Sequence, residues 1–149
     1  MLVSLNEVMP LLRRRGLCLP GFDIGGGQPD FLLGVLGACE RARCPALLLI
    51  WAPGATYMSL DACVEIVRFH ADRGSVPVIL HLDHGKDPQT VERCLQLGFR
   101  SVMFDGSDLP LDENIRLTKE MADLAHAAGA NIEGCLLYTS DAADELDGV

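Results

Sequence analysis

Two hydrophobic patterns alternate along this chain: short solid apolar runs, and longer stretches with an apolar residue every three or four positions. The solid runs lie at Pro45 to Trp51, Val78 to Leu80 and Ser101 to Asp105, with shorter ones at Phe22-Asp-Ile24 and Ala130-Asn-Ile-Glu133. Apolar runs this short, bounded by Pro or Gly, predict buried parallel strands. Between them, Leu32, Val35, Leu36 and Cys39 share a helical face. So do Cys63, Ile66 and Val67, and later Ile115, Met121, Leu124, Ala125 and Ala128.

Local signals place the boundaries. Ser4-Leu-Asn-Glu7 is a capping-box pattern that opens a helix over Leu5 to Arg15, and Gly16 ends it. Pro29-Asp30 opens the second helix, and Ser59 caps a third that runs through His70. Asp87 followed by Pro88 predicts an N-cap and first helical position, with Gly98 closing that helix. A long helix is expected from Asp112 to Ala128, stopped by Gly129. Gly25-Gly-Gly27 and Pro53-Gly54 read as loops that loosen or turn the backbone after strands.

A strand-then-helix unit therefore occurs four times and enters a fifth, which means a parallel sheet with right-handed crossovers. Two architectures fit, a doubly wound sheet and a (β/α)8 barrel. Asp23, Asp83, His84, Asp105 and Glu133 all fall at the C-terminal ends of strands, four different ones between them, the face on which a barrel gathers its catalytic residues. No G-x-G-x-x-G fingerprint follows the first strand. The expected fold is α/β, the N-terminal half of a (β/α)8 TIM barrel, about four and a half βα units against the eight of a whole one. Open strands at either side of such a half would invite pairing with another chain.

Composition narrows the function. A net charge of -9 argues against nucleic acid, whose phosphates are bound by clustered Lys and Arg. Arg13-Arg14-Arg15 sits where cations complement a helix end. No apolar run approaches the length needed to span a bilayer, and the start lacks the basic and small-residue marks of a secretory leader. Six cysteines show no C-x-x-C pair, and most lie within apolar patterns, so free buried thiols in a reducing cytoplasm are expected. His70 and His126 fall on helices and read as surface or packing residues.

The chemistry concentrates at His81-Leu-Asp-His-Gly85. Strand alternation puts His81 and Asp83 on one face and Leu82 and His84 on the other, with Gly85 turning the backbone into the next element. An imidazole beside a carboxylate at a strand end supplies a metal ligand and an acid/base group to one pocket. The same residues also suit a helix N-cap with satisfied core histidines.

In order and spacing, His81-Leu-Asp-His-Gly85, Gly98-Phe-Arg-Ser-Val-Met-Phe-Asp-Gly-Ser107 and Glu133 resemble the class II, metal-dependent ketose-bisphosphate aldolases. The resemblance runs from about Leu2 to Glu133 and implies zinc-dependent, reversible cleavage of a ketose 1,6-bisphosphate to dihydroxyacetone phosphate and an aldehyde. It implies that His84 is a ligand of the catalytic Zn2+, that Asp83 is the acid/base group working on the C4 hydroxyl, and that Asp105 is a ligand of a second divalent metal. A homo-oligomer is implied for the full-length parent. Two positions depart from the family pattern: Asp23 stands where Asn is usual, beside the substrate, and Ala52 lies near a usual Ser. Asp23 would repel a phosphorylated substrate unless paired or protonated, so another phosphorylated carbonyl compound is an alternative. The family's next strand reads E-x-E-L-G, but here Glu133 is followed by Gly134-Cys135, and two further zinc histidines have no counterpart in Leu136 to Val149. Residues 135–149, with four acidic and no basic side chains, are set apart as a non-family tail, an artefact or disordered, following a partial barrel over 1–134. The chain alone is expected to be inactive. The alternative from another class is a non-catalytic half-barrel that acts by self-association.

Overall fold

A computed structural model of the chain describes residues 1–25, 28–52 and 58–136. The elements run α1 (Leu5–Arg15), β1 (Gly21–Asp23), α2 (Pro29–Ala42), β2 (Ala46–Trp51), α3 (Leu60–Ala71), β3 (Val78–Gly85), α4 (Pro88–Gln96), β4 (Ser101–Phe104), α5 (Leu111–Ala127) and β5 (Asn131–Gly134). All five strands are parallel and stand side by side in chain order. That order decides between the two architectures. A doubly wound sheet reverses direction after its first strands, whereas a barrel adds each strand to the same edge. The protein is a parallel α/β half-barrel.

The two faces of the sheet are covered differently. Ala46, Leu48, Ile50, Val78, Leu80, Leu82, Val102 and Phe104 point toward α2 to α5 and are almost wholly buried with Leu32, Cys39, Cys63, Val67, Val91, Cys94 and Ala125. The opposite face carries a smaller cluster in which Ile79 packs with Val3 and Val8, so α1 covers its N-terminal end. Further along that face the side chains become polar, and a chain of hydrogen bonds crosses three strands. The Leu5 N–H donates to Asn131 Oδ1 at 3.2 Å, and Asn131 Nδ2 donates to Ser101 Oγ at 2.9 Å. Ser101 Oγ in turn pairs with His81 Nδ1 at 2.7 Å. His81 is thus a buried tie between α1, β3, β4 and β5, with its polar group satisfied as burial requires.

The helix starts follow the local signals. Glu7 accepts from the Ser4 backbone N–H at 2.7 Å and from the Ser4 hydroxyl at 3.0 Å, and Gly16 ends α1 in the left-handed region. Asp87 accepts from the Thr90 N–H at 2.8 Å and from its hydroxyl at 2.7 Å. Asp87→Ala should cost about 1 kcal/mol, as N-cap loss does, read as a lower urea midpoint with an unchanged slope.

Three expectations need correction. Ile115 and Leu124 do not face the core: they are 58% and 37% exposed, and Asn114, beside Ile115, is buried instead. Asn114 donates to the Cys135 carbonyl at 2.9 Å and accepts from the Thr118 hydroxyl at 2.9 Å, so hydrogen bonds pay for its burial where the apolar period alone pointed to its neighbour. The other two corrections concern His84 and Gly85 and belong to the site. Gly26, Gly27, Pro53, Gly54 and the tail from 137 onward lie outside the described residues.

Candidate active site at the C-terminal end of the third strand

Pairing between β3 and β4 is regular at His81 with Ser101 and at Leu82 with Val102, and then slips, so that Gly85 stands opposite Phe104. Three residues of β3 therefore span two of β4, which is a bulge. His84 takes up the slack with a φ of 51°, a left-handed conformation uncommon outside glycine. This breaks the alternation: His84 is not directed away with Leu82 but meets Asp105, which extends the polar face beyond Ser101 and Met103. Gly85 does not supply the turn. It is required because a Cβ there would lie 2.7 Å from the Met103 carbonyl oxygen and 3.0 Å from Val91.

The centre of the site is a carboxylate. Asp105 is buried to 2% exposure, and its Oδ2 accepts from His84 Nδ1 at 2.6 Å and from the Lys86 ammonium at 3.1 Å. Its Oδ1 accepts from the Ser107 hydroxyl at 2.6 Å and the Ser107 N–H at 3.1 Å. Burial alone would push this carboxyl up, but the hydrogen bonds from Ser107, His84 and Lys86 together hold it well below the usual carboxylate range. It is a fixed anion. Lys86, bound outward to Asp108 Oδ2 at 2.7 Å, has its ammonium pushed up by Asp108 and Asp105.

Because Asp105 is ionised, it accepts the Nδ1–H of His84 and directs Nε2 away from itself, the arrangement that orients a metal-binding imidazole. The Nε2 lies 4.0 Å from Asp83 Oδ1, with His84 and Asp83 both partly open to solvent. On β5, Glu133 pairs with Met103 and so belongs to the same face. Below them, burial lowers the basicity of His81, although the charges of Glu133 and Asp83 work against it. Cys135, just past β5, has its thiol pushed up by burial and by the charge of Asp105.

Of the four residues singled out in the sequence, the structure brings Asp83, His84 and Asp105 together. Asp23 stands apart. It pairs with Leu49, which pairs with His81, so it lies two strands from the cluster and one layer below Asp83. Two strand spacings make about 10 Å. Asp23 Oδ1 accepts from the Gly25 N–H at 2.7 Å, an Asx turn that spends the carboxylate on its own loop.

Sequence reasoning passed over Lys86 and the two roles of Ser107. The signal existed, since Lys86 follows the histidine motif directly, but its partners Asp105 and Asp108 lie beyond the next strand. As a metal centre the donor set is partial. His84 Nε2 fits a zinc ligand, while among the described residues no three His, Cys, Asp or Glu side chains group to hold an ion. Within those residues, too, no helix is long and apolar enough to cross a membrane.

Comparison with known proteins places this geometry. The family model for class II fructose-bisphosphate aldolase matches residues 3–147. A fructose-bisphosphate aldolase from Streptococcus pneumoniae serotype 4 is 33% identical over 135 residues, covering 89% of this chain and 45% of the relative. A 6-phospho-5-dehydro-2-deoxy-D-gluconate aldolase from Bacillus licheniformis is 34% identical over 137 residues, covering 88% of this chain and again 45% of the relative. The crystal structure of the YdjI aldolase from Escherichia coli K12 superposes with a TM-score of 0.84 at 28% identity, covering 94% of this chain and 54% of that one. The chain spans about half the length of the curated relatives it matches.

Proposed function

The chain belongs to the class II fructose-bisphosphate aldolase family, and from that premise we propose that it is the N-terminal half of a zinc-dependent lyase, with Asp83, His84 and Asp105 as its share of the active site. The observation that carries the proposal is the pairing of His84 Nδ1 with the buried Asp105 at 2.6 Å. It fixes the ring so that Nε2 faces the same opening as Asp83.

The complete protein then cleaves a ketose 1,6-bisphosphate reversibly to dihydroxyacetone phosphate and an aldehyde. His84 Nε2 is one ligand of the zinc ion, and the remaining ligands come from outside the described residues. When bound, zinc polarises the substrate carbonyl as a Lewis acid. Asp83 holds the proton exchanged with the C4 hydroxyl as the C3–C4 bond breaks or forms. Its position suits this role: among the described residues no group hydrogen-bonds its carboxylate, and it is partly open to the cleft. Asp105 acts through His84, by orienting the ring. Asp23 reaches substrate only if its Asx turn opens. The relatives' names cover two different phosphorylated substrates, and Asp23 is the residue we assign to that choice. The family boundary is proposed after Gly134, where β5 ends.

Half a barrel supplies one of the needed histidines, so the 149-residue chain should show no zinc-dependent cleavage. The complete protein should cleave the bisphosphate, lose the activity to a chelator and recover it with zinc. Robust turnover by the short chain, or chelator-resistant turnover by the complete one, would overturn the assignment. A second reading, association of half-barrels, is favoured by the two sheet edges, since β1 and β5 each pair on one side only among the described residues. Light scattering separates it: a discrete folded dimer of this chain supports association.

A further inference from the structure

We propose that the Lys86 ammonium is a built-in cation, occupying the place beside Asp105 where a second divalent ion would otherwise bind. The inference gives the second metal that the family resemblance implies at Asp105 a specific fate, and it rests on the functional reading only for its significance.

The argument begins from the valence of one carboxylate. An ionised carboxylate offers about four acceptor positions, and Asp105 has four occupants: the Ser107 hydroxyl and N–H on Oδ1, and His84 Nδ1 and Lys86 Nζ on Oδ2. A divalent ion must therefore evict one of them. The Ser107 pair is made within a tight turn two residues on, and eviction would unmake it. The His84 bond, at 2.6 Å, is what orients the ring. His84 and Lys86 are equally open to solvent, at 43% and 44% exposure, but Lys86 makes the longer contact, 3.1 Å against 2.6 Å, and is the occupant an ion displaces.

Charge supports the same assignment. A buried carboxylate needs a compensating cation, and Lys86 provides one from its 3.1 Å contact. The ammonium is anchored on its far side by Asp108 Oδ2 at 2.7 Å, with Ser107 Oγ at 3.5 Å. Three groups from the β4–α5 loop thus hold one cation that comes from the β3–α4 loop. A divalent ion gains Asp105 only by breaking this bridge and by approaching an ammonium of like charge. Through Asp105, Lys86 is a positioning residue for His84.

The test is ion binding by the 149-residue chain, with Mn2+ as probe in equilibrium dialysis. Wild type and Asp105→Asn should bind Mn2+ equally weakly, because Asp105 is not available. In Lys86→Gln, Mn2+ should bind about tenfold more tightly or better once the like charge is gone, and adding Asp105→Asn should cancel that gain. Asp105-dependent Mn2+ binding by the wild type overturns the proposal, and so does an unchanged affinity in Lys86→Gln. Should the variants not fold, acetylation of Lys86 in the wild type, followed by mass spectrometry, decides. The rate should not change with excess Mn2+, and acceleration as the ion frees the ammonium overturns the proposal. None of these readouts uses aldolase turnover, so a failure of the aldolase reading leaves the result standing and is seen separately, in the chelator assay.

Discussion

In the complete protein, Asp83→Ala should lower kcat for aldol cleavage by about 10²–10⁴-fold and leave the zinc content unchanged, while His84→Ala should lose both zinc and activity. The split follows from the two environments. His84 is clamped from one side, its Nδ1–H given to an anion that cannot leave, so the ring has a single free nitrogen and a fixed direction for it. Asp83 sits one residue earlier, on the extended part of β3, 4.0 Å from that nitrogen. Its carboxylate is not tied into the Asp105 network. Removing it takes away a proton acceptor without disturbing the clamp. Metal analysis alongside turnover separates the two roles. Asp83→Ala protein that has lost its zinc would make Asp83 a ligand, and wild-type rates in both variants would move the chemistry elsewhere. Asp105→Asn should fall between them: an amide still accepts a hydrogen bond but no longer supplies the charge that fixes the Nδ1–H tautomer.

The legible parts of this protein were those written in neighbouring residues. Ser4 with Glu7, Asp87 with Pro88, and Gly16 and Gly129 each act within a turn or two, and the helices begin and end where these residues predicted. The solid apolar runs marked where the strands begin to within about two residues, because burial on both faces leaves no polar alternation to misread. Of the four residues chosen at the polar strand ends, three lie together. What local sequence could not carry was pairing. The bulge exists because Leu82 pairs with Val102 while Gly85 pairs with Phe104, and nothing in His81 to Gly85 alone encodes a slip in register. Without the slip, period-two reasoning sends His84 to the wrong face. Lys86 was passed over for the same reason, since its meaning depends on Asp105 and Asp108 across the loop. Asp23 stands apart for another reason. It lies on the right face by alternation, but its carboxylate closes a local turn, and a residue's type does not say which of two short-range partners it will take.

Gly85→Ala should destabilise the chain by about 3 kcal/mol, the upper part of the range for overpacking a filled site, and lower Tm by about 6–12 °C at this chain length. The added methyl would lie 2.7 Å from the Met103 carbonyl oxygen, 2.8 Å from Leu82 Cδ2 and 3.0 Å from Val91 Cγ2. The two side chains have some room to turn, but the carbonyl does not. It belongs to β4, which is hydrogen-bonded between β3 and β5, and the Asp105 N–H just beyond it is bonded to the Gly85 carbonyl at 2.9 Å. Relief has to come from parting β3 and β4 at the bulge, which is where His84 reaches Asp105. Stability and site geometry should therefore fail together, and in the complete protein Gly85→Ala should lose zinc affinity as well as Tm. Gly34→Ala is the control: Gly34 lies exposed within α2, with nothing inside 4 Å of an added Cβ. Alanine there should stabilise by about 0.5–1 kcal/mol through helix propensity. Thermal unfolding followed by circular dichroism reads both, and a Gly85→Ala chain that melts with the wild type would mean that the β3–β4 seam gives way without cost. The site would then owe its shape to something other than the contact of Gly85 with Met103.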